Sequence, residues 1–192
     1  MFDYFSFILM TSIYLIISCI RVLNIRKKGK CINFKRELLR CMFFIYLFAM
    51  ISVTIFPLTI VITEDTSNEI KRRAYVNFIP FNFIRDYANI RSAKLFIKNV
   101  VGNIILFIPF GLFLPAIWEK CRNFPTCLLL GASTSICIEF LQWLLAICNL
   151  NMARVTDIDD VILNTTGVVC GFFLYKFIMH INKEGDFLDE RL

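Results

Sequence analysis

Apolar residues gather along the chain into five runs, each near the roughly 20 residues that an α-helix needs to cross a bilayer. They are Phe5 to Leu23, Cys41 to Ile62, Val100 to Trp118, Pro125 to Asn149 and Val161 to Ile181. The third contains Pro109 and Pro115. Membrane helices tolerate proline where neighbours satisfy the freed carbonyls, so Pro109 is expected as a kink. The first run is preceded by Asp3 and followed by Arg21, Arg26, Lys27 and Lys28. A signal peptide has the reverse charge order, so this run is expected to stay as an uncleaved anchor. The pattern predicts an all-α, polytopic transmembrane helix bundle of about five spans.

The polar stretches divide it into a two-span hairpin over 1–62, a membrane domain over 63–182 and a polar tail over 183–192. Their charge predicts its orientation. The loop from Asn24 to Arg40 carries Arg26, Lys27, Lys28, Lys30, Lys35, Arg36 and Arg40 against Glu37 alone. Such a loop belongs in the cytoplasm. The N-terminus is then outside, as are Thr63 to Asn99 and Leu150 to Asp160, while Glu119 to Arg122 and the C-terminus are inside. The long outer loop is itself basic, which weakens the asymmetry. It holds the apolar fragment Asn77-Phe-Ile-Pro-Phe81, followed by Ile84, Tyr87, Ala88, Leu95 and Phe96 alternating with Arg85, Arg91, Lys94 and Lys98. That alternation suits an interfacial segment with its cations toward headgroups; the plainer reading is a loop packed on the bundle.

Composition strengthens the membrane reading. Of 192 residues 58% are hydrophobic and 19% charged, and mean hydropathy is +0.67, outside the range of ordinary soluble domains. The net charge of +6 sits beside the apolar runs, so it reads as topology signal and lipid contact, with no nucleic-acid partner. The eight cysteines form no CxxC pair and His180 is the single histidine. They are expected as free packing thiols, and no metal site is assigned.

An ionisable group inside an apolar run costs several kcal/mol, from roughly 2.5 upward, and is seldom left without a partner. Glu139 is such a group. On its run Gly131, Ser135, Glu139, Gln142, Ala146 and Asn149 step by threes and fours and share one helix face. On the last run Asp157, Asp160, Asn164, Gly167 and Gly171 do the same, and on the third Asn99 and Asn103 lie one turn apart. At about 1.5 Å per residue, Glu139 falls near the bilayer middle and Gln142 about 4–5 Å closer to the outside. Asn103 and Asn164 fall about one turn inside the outer boundary, with Arg154, Asp157, Asp159 and Asp160 at the surface. All could line one cavity opening outward. Plainer roles stand beside this one. Thr156 would cap the last helix with Asp159 as its capping-box partner, the acids would favour the helix dipole, Asn164 and Gln142 would bond between helices, and the glycines would serve packing.

Taken in order, several fragments resemble the VanZ-like family. They are Asn77-Phe-Ile-Pro-Phe81, Asn99-Val-Val-Gly-Asn103, Phe107-Ile-Pro-Phe-Gly111, Ser135-x-x-x-Glu139-x-x-Gln142 and Arg154-x-x-Asp157-x-Asp159-Asp160-Val-x-x-Asn164-x-x-Gly167. The first two spans carry no matching motif. The resemblance implies a multi-pass protein of the bacterial plasma membrane, in a family named for a protein that lowers sensitivity to the glycopeptide teicoplanin. It implies no reaction. Four functions stay open. The first is an envelope-associated protein that binds an amphiphile, whether membrane lipid, lipid-linked envelope precursor or lipoglycopeptide. Its binding set would be Asn103, Glu139, Gln142, Arg154, Asp157, Asp159, Asp160 and Asn164, with Arg154 on an anionic group and Phe78 to Phe83 against acyl chains. The second is a headgroup enzyme with Glu139, Asp157 and Asp160 as catalytic candidates. Only this one would call on a cofactor, Mg²⁺ at the acids. The third is a transporter or proton-coupled channel, and the fourth a scaffold whose polar stripes bind partner helices.

Overall fold

The computed structural model describes residues 4–29, 33–55, 76–81, 93–148 and 156–189. Five helices account for most of them: α1 (Tyr4–Lys27), α2 (Phe34–Thr54), α3 (Ala93–Ile117), α4 (Phe124–Ile147) and α5 (Ile158–Asp189). Each contains a stretch long and apolar enough to cross a membrane. The chain is thus an all-α, multi-pass helical protein. The one sheet among the described residues pairs two two-residue strands, β1 (Val76–Asn77) and β2 (Thr156–Asp157).

Helix α2 starts well before the apolar run that predicts it. Asn33 lies in an extended conformation and its Oδ1 accepts from the Arg36 N–H at 3.1 Å, which caps the helix in the polar stretch. The run's end past Ile55 lies outside the described residues, as do 82–92 of the expected interfacial segment; Lys94, Leu95, Phe96 and Lys98 fall within α3.

The chain divides into two compact units, Met1–Val76 with Phe140–Thr156, and Asn77–Glu139 with Asp157–Leu192. In the first, α1 and α2 form a hairpin. The Tyr14 ring stacks on Phe44 with centroids 4.5 Å apart and meets Phe48 edge-on at 6.0 Å. At the loop end Glu37 pairs with Arg21 of α1 and, at 2.5 Å, with Arg40 one turn along α2. Most other α1 side chains are exposed apolar groups such as Phe5, Ile8, Ile16 and Ile20, as expected of a surface that faces lipid.

In the second unit α3 and α5 come into backbone contact. A methyl group added at Gly167 would collide with the Ile104 carbonyl, and one at Gly171 with the Ile108 carbonyl. One at Gly111 would strike the Val168 backbone in return. Glycine is required here because nothing larger fits between the helices. The starting half of α4 packs alongside, with Phe124 edge-on to Phe172 at 5.3 Å and Gly131 against the Val168 side chain. Helix α3 runs through Pro109 and Pro115. Pro115 has no N–H to give the carbonyl one turn back, that of Gly111. The Cys127 thiol of α4 points there instead, its Sγ 3.9 Å from the Gly111 oxygen, fully buried. A short 3₁₀ turn, Glu119–Arg122, joins α3 to α4. Burial pushes its Cys121 thiol up from the ordinary value.

Candidate functional site

The polar residues of the second unit gather at the N-terminal end of α5. Strand pairing sets Asn77 beside Asp157, and the Asn77 Nδ2 donates to Asp157 Oδ1 at 3.1 Å. The other end of the same amide turns the chain: Asn77 Oδ1 accepts from the Ile79 N–H at 3.1 Å. After Pro80 the backbone enters the left-handed region at Phe81, φ 63°, which a bulky residue rarely adopts unless something holds it there. Asp159 supplies the hold, since its Oδ1 accepts from the Phe81 N–H at 2.5 Å. The turn leaves Phe78, Ile79 and Phe81 exposed at its tip.

Asp157 caps α5. Its Oδ1 accepts from the Asp159 N–H at 2.9 Å, the bond an N-cap side chain makes to the second helical residue. The capping role expected of Thr156 falls one residue later, because Ile158 is the first helical residue and places Asp157 at the boundary. Asp159, 2% exposed, turns to Phe81.

Glu139 reaches this cap from α4. It is 5% exposed, and its Oε2 accepts from the Asp157 backbone N–H at 3.2 Å. From α3, Asn103 donates through Nδ2 to Asp160 Oδ1. One turn deeper on α5, Asn164 donates through Nδ2 to the buried Ser135 Oγ at 2.9 Å. Ser135 lies one turn before Glu139 on α4, so the two polar stripes meet at two levels. Asn164 is 5% exposed and its Oδ1 has no hydrogen-bond partner among the described residues. A buried acceptor left this way costs about 1–3 kcal/mol. It marks a place where a water or a ligand's donor would be welcome.

Of the residues singled out in the sequence, Asn103, Glu139, Asp157, Asp159, Asp160 and Asn164 thus share one hydrogen-bonded region of the second unit. Gln142 belongs to the first unit, where its Nε2 donates to the Thr54 carbonyl at 2.9 Å. Arg154 lies outside the described residues. Asn77 and Ser135 join the region without having been named as binding residues, although both stand in fragments that carried the resemblance. Among the described residues no three His, Cys, Asp or Glu side chains converge as a metal-binding group. The acid oxygens named here instead receive N–H donors.

A family model described as VanZ/LLP1 matches residues 43–179. Protein VanZ of Enterococcus faecium is 33% identical over 88 residues, 45% of this chain and 50% of that protein. The chain therefore spans about half the length of this curated relative. No solved structure matches.

Proposed function

The chain belongs to the VanZ/LLP1 family, and from that premise we propose that it is an envelope-associated protein of the bacterial plasma membrane. In this reading it contributes to teicoplanin-type resistance by binding an amphiphile or lipid-linked ligand at the polar region around Glu139. Its N-terminus lies outside and its C-terminus inside, so that region opens toward the outer leaflet. The exposed tip of Phe78, Ile79 and Phe81 lies against acyl chains there.

The observation that carries this reading is the combination of buried Glu139 with the unsatisfied Asn164 Oδ1 one turn deeper. In a scaffold that used its polar stripes only for helix contacts, nearly all such atoms would be paired with protein or water. An unmet acceptor on the same stripe as Asp160 favours a ligand group with a hydrogen to donate.

The test is a susceptibility assay in a host lacking the gene, with wild type, Glu139→Gln and Asp160→Ala at equal membrane levels. Teicoplanin and vancomycin are the challenges. Protection by wild type and its loss in both variants is expected. No protection by wild type would remove the resistance role, and full protection by both variants would remove the site.

A further inference from the structure

At the opposite end of the second unit, a groove of about 350 Å³ opens between the 3₁₀ turn and the later part of α5. Arg122, Tyr175, Lys176, Met179 and His180 line it. Its depth is set by the spans. The apolar stretch of α4 begins at Phe124 and that of α5 ends at Ile181, so a membrane spanned by these stretches would have one boundary near Arg122 and His180. That is the level of the lipid phosphates.

We propose that this groove binds the phosphate of an anionic membrane lipid. The Arg122 guanidinium offers a planar fork of donors that matches phosphate oxygens. Lys176 starts more than a turn deeper. Its ammonium lies 5.4 Å from the centre of the Phe172 ring, and its flexible stem can carry the charge toward the boundary. Phe172 is itself buried against Phe124, which gives the Lys176 stem a fixed wall to climb. Tyr175 and Met179 flank Lys176 along the groove wall and supply the apolar surface against which a glycerol backbone and the first acyl carbons would lie. The groove thus sets the Arg122 guanidinium at its mouth, with the Lys176 stem and the apolar side chains of Tyr175 and Met179 along its α5 wall. Basic pockets between membrane helices bind anionic headgroups by this arrangement. The proposal stands apart from the ligand at Glu139, since none of its residues belongs to that region.

The test uses the full chain in lipid nanodiscs of phosphatidylcholine with an equal share of phosphatidylglycerol. Native mass spectrometry then counts the lipids retained after release. Wild type is expected to keep phosphatidylglycerol in preference to phosphatidylcholine. The double variant Arg122→Gln, Lys176→Gln should lose about tenfold of that preference, the loss of roughly one charge-assisted bond. Equal retention of both lipids by wild type would overturn the proposal without any variant having to fold. An undiminished preference in the double variant would overturn it also. Displacement of the retained lipid by millimolar inorganic phosphate would reassign the groove to a soluble phosphate and overturn the lipid assignment.

Discussion

Single side chains in the second unit answer for atoms that their neighbours leave exposed. Pro115 deprives the Gly111 carbonyl of its helical partner, and Cys127 of the next helix reaches it. Replacing Cys127 with alanine removes the donor without adding volume to this buried site. We expect Cys127→Ala to cost about 1–3 kcal/mol, from the lost buried contact and the acceptor left without its weak thiol donor, read as a lower unfolding temperature in detergent. An unchanged temperature would show that the thiol contributes neither. The sequence suggested that a neighbour would satisfy a proline's carbonyl, yet it could not say which. The choice of Cys127 depends on the register between α3 and α4, which no local pattern records. Glu139 and Asp160 were legible because charge inside an apolar run is conspicuous. Asp159's grip on Phe81 was not, because the two stand far apart in the chain and meet only when the Asn77 turn folds onto the α5 cap.

Between elements, glycine placement decides how near the helices come. Gly167 and Gly171 face the α3 backbone, whereas nothing lies within 4 Å of a methyl group added at Gly102. Gly171→Ala must push α3 from α5 and should cost about 1–3 kcal/mol or more, as overpacking does. Gly102→Ala should be neutral or should stabilise by up to about 1 kcal/mol through helix propensity. Thermal unfolding of the two variants side by side distinguishes them, and equal effects would refute the close-contact account. Spacing alone marked Gly167 and Gly171 as packing residues, since they repeat at four on the Asn164 face. It could not separate them from Gly102, which also sits in an apolar helix. The start of α2 was hidden for another reason: hydropathy finds the apolar stretch, while the helix begins at its Asn33 cap in the basic segment.

For the whole molecule, hydropathy made all five helices legible, because a stretch apolar on every side leaves no other stable place for its backbone than a membrane helix. The direction of insertion rests on Lys/Arg balance, and here a basic outer loop offsets part of the signal. Two cysteines at opposite loop ends test it. In versions keeping either Cys148 or Cys31 as the single thiol, an impermeant maleimide on intact cells should label Cys148, which is exposed at the end of α4. Cys31 should react only after permeabilisation. The reverse pattern would invert the protein and turn the Glu139 region to the cytoplasm.

A carboxylate oxygen of Asp159 accepts from the Phe81 N–H where the backbone is left-handed, and three apolar side chains of the same turn point outward. Tip and acid are therefore thermodynamically reciprocal. Whatever competes for the carboxylate loosens the tip, and whatever draws the tip away weakens the hold on the carboxylate by the same free energy. Anything bound at Phe78 and Phe81 and polar groups near the start of α5 need not touch to influence each other. The turn makes them parts of one equilibrium.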